Sequence, residues 1–201
     1  IADSHGDLEA TRQAIGLLKR RGASLLIHLG DFCDSVRHER SAAMISLLRE
    51  QGIPAVKGNN DFAVENRLAG SRRPLDADGI GMLAYLRDLP LVRVREAIRF
   101  AHSLPFDTFR AFYEPIDTGG TDRAKRVFDQ TDCSILFCGH SHRPVRFRYA
   151  GGRVTRMPVE PGRPEVLEGA ARHIVVVGAV SDGDCALYDE EARSCERLRT
   201  G

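Results

Sequence analysis

Carboxylates, carboxamides and imidazoles gather in a few short stretches of this 201-residue chain. They are ADSHGD at 2–7, GDFCD at 30–34, GNND at 58–61, FAHS at 100–103 and CGHSH at 138–142. Within them, Asp3, His5, Asp31, Asn59, His102, His140 and His142 are all competent metal ligands. Asp3 and His5 are spaced i, i+2, as are His140 and His142, which puts each pair on one face of an extended segment. Mixed nitrogen and oxygen donors in this number exceed the needs of one divalent ion. They suit two transition ions sharing a bridging carboxylate. Two such ions, about 3.5–4 Å apart, can hold and deprotonate a bridging water and stabilise the attacking and leaving oxygens of a phosphoryl transfer. The glycines before Asp31, Asn59 and His140 let the backbone turn sharply as each donor arrives.

Such donors need elements that deliver them to one place. In open α/β sheets that place is the carboxyl ends of the strands. Ile1–Ala2 reads as the stub of a first strand. There is no initiator Met, and residues native to that strand are expected to precede Ile1. DLEATRQAIGLLKRRG spaces Leu8, Ile15 and Leu18 as a helix closed by Gly22. SLLIHLGD is a buried strand, RHERSAAMISLLREQG a second helix closed by Gly52, and IPAVKGNND a third strand. This order implies a parallel sheet with right-handed crossovers.

Beyond Asp61, DFAVENRLAG reads as a short helix and SRRPLDADG as an exposed loop. LVRVREAIRFAHSLP reads as strands on either side of a turn near Glu96–Ala97. TDRAKRVFDQT is helical, and CSILFCGHSHRP is a buried strand ending in a polar turn. VRFRYAGGRVTRM is a hairpin around Gly151–Gly152. HIVVVGAVSDGDCALYDEEARSCERLR reads as strands with turns at Ser181–Asp184 and Asp189–Glu191. The expectation is one α/β domain over residues 1–201, parallel first and antiparallel later, with two sheets.

Charged residues make up 28% and hydrophobic ones 42%, as in an ordinary soluble globular protein. A formal net charge of +1 points to no bulk nucleic-acid or acidic-membrane partner. No apolar run approaches the ~20 residues that cross a bilayer. Five cysteines without paired spacing favour a reduced, cytoplasmic compartment. Oligomeric state is not legible.

The ordered set Asp-x-His, Gly-Asp-x-x-Asp, Gly-Asn-x-Asp, a lone His and Gly-His-x-His resembles the calcineurin-like metallophosphoesterase superfamily, covering Asp3 to His142. The resemblance implies an α/β/β/α fold: a two-sheet β-sandwich flanked by helices, with a dinuclear site at the strand ends. It implies that Asp3, His5 and His142 bind one ion and Asn59, His102 and His140 the other, with Asp31 bridging. Asp34 is implied to be structural. Manganese is foremost among the candidate ions, with Fe, Co, Ni or Zn as alternatives.

Two departures narrow the reading. Many relatives carry His where this chain has Asn60, and that His is the presumed acid for the leaving group. Asn60 has no proton to give at a useful pKa. Ser35 stands where protein phosphatases have Arg. Both departures resemble the small bacterial and archaeal phosphodiesterase branch. The implied function is a phosphodiesterase in which a metal-bridging hydroxide attacks phosphorus in line, with Asp31, His140 and Asn60 as the catalytic set. The implied substrate is a small phosphoester, nucleotide-like kinds included. A phosphomonoesterase or nucleotide pyrophosphatase would use the same site, and a non-catalytic scaffold would be expected to have lost donors.

Other polar residues have plainer readings. Asp7 caps the first helix and Asp61 the helix after GNND. His28 is a core residue, His38 and His173 take no catalytic part, and Cys33 and Cys138 are not ligands. Arg37 and Arg143 lie near the donor turns and could hold a phosphate. Asp182, Asp184, Glu190 and Glu191 read as solvated turns. The stretches ENRLAGSRRPLDADGIG and SLPFDTFRAFYEPIDTGG are expected to wall the pocket.

Overall fold

The computed structural model describes residues 1–108 and 110–201. Its first three extended segments lie side by side in parallel. Leu29 N–H donates to Ile1 C=O at 2.8 Å, Asp3 N–H to Gly30 C=O at 3.1 Å, and Val56 N–H to His28 C=O at 2.9 Å. Only one bridge, His28 to Ala55, is regular. The strands expected here are therefore short extended segments. Their ladders stop because Asp3, His5 and Asp31 adopt left-handed backbone (φ 53°, 44° and 56°), which no strand can contain.

Helix α1 (Leu8–Arg20) begins at Asp7, whose carboxylate accepts from Ala10 N–H at 3.0 Å. A single 3₁₀ turn, His38–Arg40, leads into α2 (Ser41–Glu50). Helix α3 (Asn59–Ala69) starts at Gly58, and α4 (Ala77–Arg87) follows. Helix α4 was not expected. Gly79 and Gly81 weaken its local signal, but Asp76 caps it by accepting from Gly79 N–H at 2.8 Å. The stretch read as a pocket-wall loop is thus the end of α3, a short connection and the start of α4.

Strands β1 (Val92–Arg95) and β2 (Ile98–Ala101) form a hairpin that turns at Glu96. After α5 (Asp122–Gln130) come β3 (Ile135–Cys138), β4 (Val145–Ala150), β5 (Arg153–Pro158), β6 (Pro164–Val166) and β7 (Arg172–Val176). Then come a 3₁₀ turn at Val180–Asp182 and the hairpin of β8 (Asp184–Asp189) and β9 (Ser194–Arg199). The larger sheet has the order β1-β2-β3-β7-β4-β5, with β2, β3 and β7 parallel. The smaller sheet, β6-β9-β8, is antiparallel.

Side-chain alternation turns these sheets into four layers. Leu136, Cys138, Ile174 and Val176 pack under Ala124, Val127 and Phe128 of α5. The opposite face of the same strands, with Ile135, Phe137 and Val175, meets Ala2, Leu29, Val56 and Cys195. Ile1, Ala55, Cys185 and Leu198 face the other way, into a cluster with Ile15, Leu18, Met44, Leu48, Val64 and Leu86 of α1 to α4. Ile1 and Ala2, adjacent in the chain, thus serve different cores. The architecture is helix, sheet, sheet, helix, with the polar turns at one end of the sandwich. No helix among the described residues is long and apolar enough to cross a membrane.

Candidate metal centre

The polar turns converge. Asp3, His5 and His142 form one group of donor atoms lying within 4.8 Å of one another, and Asp31, His102 and His140 form a second. Asn59 joins the second group, its Oδ1 lying 3.1 Å from His102 Nε2. The seven residues picked from the sequence therefore occupy two adjoining clusters, built from five separate turns.

Close backbone packing makes this possible. A methyl group on Gly58 would run into the Asp31 carboxylate and backbone, and one on Gly139 into Asp3 and Ala2. Among the described residues, seven non-glycine positions have positive φ. Five of them are Asp3, His5, Asp31, His140 and His142. The other two, Glu96 and Arg193, sit in hairpin turns. Strain of this kind persists where surrounding structure enforces it, and it collects at functional sites.

Two imidazoles, His102 and His142, have an outer partner at one nitrogen while the other faces inward. His102 Nδ1–H donates to Leu29 C=O at 2.9 Å, leaving Nε2 directed at Asn59 and at His140 Nδ1, 3.1 Å away. The His140 ring lies beside the backbone of Tyr113. His142 Nδ1 lies 3.5 Å from the Asp182 carboxylate, while its Nε2 faces His5 Nε2 at 3.1 Å. Such outer partners fix the tautomer and aim the free lone pair, as they do around metal-bound histidines.

The carboxylates are arranged likewise. Asp3 Oδ2 accepts from His140 N–H at 2.9 Å. Its other oxygen is buried without a hydrogen bond and stands 3.6 Å from His142 Nε2. Asp31 Oδ1 accepts from Asn60 N–H at 2.8 Å, and Oδ2 from the Asn60 amide at 2.6 Å. Ser35 Oγ–H in turn donates to Asn60 Oδ1 at 2.5 Å, which fixes the amide's orientation. A buried carboxylate oxygen without a hydrogen bond is unfavourable, and imidazole nitrogens of each group converge beside carboxylate oxygens. A divalent cation would satisfy both, so the residues fit a metal.

Electrostatics differ among the donors. Burial, then the neighbouring His102, pushes His140 down to about 4, so its ring is neutral and its lone pair free. The Asp3 carboxylate beside His142 holds that imidazole's pKa up. For Asp3 itself, burial works against ionisation, but His142, His102 and the His140 N–H outweigh it and hold the carboxyl below its usual value.

Asp61 differs from the expected helix cap. Gly58 holds the cap position, and Asp61 reaches back from the first turn to Gly58 N–H at 2.9 Å. It also accepts from Asp31 N–H at 2.8 Å and Cys33 N–H at 2.9 Å, tying two donor turns together. Burial, then the Asp31 charge, pushes Asp61 up to about 7.

Asp182 was missed, being read as a solvated turn; nothing in SDGD marks it, because its partner lies forty residues away in sequence. Asp184, read the same way, is buried and paired with Arg197 at 2.8 Å. Asp34 accepts from Val36 and Arg37 N–H groups and pairs with the Arg37 guanidinium at 2.9 Å. His28 is buried against Ser4 Oγ at 2.8 Å, and Cys33 and Cys138 are buried thiols. Arg143 is exposed, and His173 is buried beside the Glu168 carbonyl. The His38 side chain and Phe109, in the second expected wall, lie outside the described residues.

The comparisons agree with this architecture. The chain matches, over residues 1–183, the family described as the calcineurin-like phosphoesterase superfamily domain. No curated protein matches it. Among solved structures, a metallophosphoesterase from Sphaerobacter thermophilus is similar, with 23% identity and a TM-score of 0.78 over 100% of this chain and 86% of the other. TT1561 of Thermus thermophilus shares 17% identity and a TM-score of 0.52, over 100% of this chain and 96% of the other. At these identities the two structures speak for the fold, while the family match spans nearly the whole chain. Fold, converging donors and family together make this chain a phosphoester hydrolase of the calcineurin-like phosphoesterase superfamily.

Proposed function

We propose that the chain is a phosphodiesterase dependent on two divalent metal ions, manganese foremost, that acts on small phosphoesters. One observation carries the reading: two adjoining donor groups, held largely on left-handed backbone and leaving a buried Asp3 oxygen without a hydrogen bond. Asp3, His5 and His142 would hold one ion, and Asn59, His102 and His140 the other. Asp31 would lie between them. When bound, such a pair supplies acidified water and neutralises the charge that builds on phosphorus during in-line attack.

The protein's own contribution is orientation. The Leu29 carbonyl and the Asp182 carboxylate aim the His102 and His142 imidazoles. Asn60 binds Asp31 and Ser35 and supplies no acid. The reaction would therefore favour diesters with good leaving groups over alkyl esters. The five free, buried cysteines support a reducing compartment such as the cytoplasm.

Metal analysis and turnover test this together. Purified protein reconstituted with Mn²⁺ is expected to hold two ions per chain and to hydrolyse bis(p-nitrophenyl) phosphate, with activity lost to chelator. His5→Ala and His102→Ala are each expected to lower the stoichiometry towards one. Metal-replete protein that turns over no mono- or diester would sink the reading.

A further inference from the structure

Tyr113 is 52% exposed, the only exposed large aromatic among the described residues. Its backbone lies beside the His140 ring, close to the second donor group. Its ring rests on Phe112, with centroids 4.8 Å apart, and Phe112 in turn meets Phe62 at 5.5 Å. Phe112 is buried, and Phe62 lies on the first turn of α3, three residues beyond Asn59.

The segment carrying this aromatic row is pinned. Leu104 N–H donates to Ala111 C=O at 3.1 Å, and Ser103 Oγ–H donates to Glu114 C=O. Further on, Arg156 grips the Asp117 carboxylate with two bonds of 2.9 and 2.8 Å. An exposed ring backed by a buried ring on an anchored segment is preorganised, so a ligand meeting it loses little in ordering the protein.

We propose that Tyr113 is a specificity-determining residue that stacks on a flat aromatic ring of the substrate, selecting nucleotide-like phosphoesters. The inference rests on the phosphoesterase reading of the same site. A phosphoester seated at the donor groups must project its organic part outward, and on the His140 side Tyr113 would receive it. A π-face is tolerant of base identity, since every base offers one, so the selection is for a nucleobase over none.

The test uses Mn²⁺-loaded full-length protein and calorimetric binding of two probes, uridine 5′-monophosphate and ribose 5-phosphate, which differ by the base. The wild-type protein is expected to bind the nucleotide about tenfold more tightly, as one stacked base gives. Tyr113→Ala and Tyr113→Leu are expected to bring the ratio towards one, and Tyr113→Phe to keep it. A wild-type ratio near one, or a ratio that survives Tyr113→Ala, would overturn the proposal. Metal titration comes first: protein that binds no Mn²⁺ refutes the underlying metal-centre reading, whereas intact metal binding with an unchanged ratio refutes the stacking alone.

Discussion

The Asn60 amide shows what one residue decides at this site. Its carboxamide spans Asp31 and Ser35, so it steadies a candidate ligand and has no ionisable proton to hand to a leaving group. Asn60→His is expected to raise turnover on alkyl leaving groups more than on nitrophenolate. Equal effects, read from kcat on matched diesters, would show that position 60 does not face the leaving group. Asp182 acts through His142. Replacing its carboxylate in Asp182→Asn is expected to weaken metal affinity about 10–100-fold, measured by competition with a chelating dye, while the circular dichroism spectrum is retained.

At the scale of elements, the donor turns approach each other through glycine. Gly58→Ala would push a methyl group into Asp31, and neither backbone nor carboxylate can withdraw without disturbing the bonds to Asn60 and Asp61. A loss of roughly 1–3 kcal/mol is expected in denaturant unfolding, with metal stoichiometry falling. Gly81 offers the contrast. It lies in α4 with nothing within 4 Å of an added methyl group, so Gly81→Ala is expected to stabilise by about 0.5–1 kcal/mol. The two glycines look alike in sequence and differ only in what stands beside them.

Across the whole molecule, the extended segments that carry Asp3, Asp31 and Asn59 share their two faces between two apolar clusters. We propose that residues 1–201 unfold as one domain, so a single calorimetric transition is expected, and two resolved transitions would count against it. His28 sets part of its acid response. Burial depresses its pKa to about 3 from 6.5. As pH falls below 6.5 the unfolded chain takes up a proton that the folded protein refuses until about pH 3. Stability is therefore lost across that window, by about 1.4 kcal/mol per pH unit at most from this group. His28→Gln is expected to flatten that limb in pH-dependent urea unfolding.

Sequence by itself determined the donor residues, because a ligand's chemistry is local: residue type, a preceding glycine and i, i+2 spacing are all visible in a short stretch. The two-sheet class and most helices were legible for the same reason, through apolar period and capping residues. Tertiary structure supplied the distances that set the donors in two adjoining groups, the division the resemblance implied. It also decided that Asp182 aims His142, and that Asp184 is a buried ion-pair partner rather than a solvated turn residue. Those facts depend on contacts between segments far apart in the chain. The three first strands were misjudged in extent because the left-handed turns that present the donors also end the ladders. Helix α4 stayed hidden because its glycines lower local propensity, and its formation rests on an Asp76 cap and packing against α2 and α3.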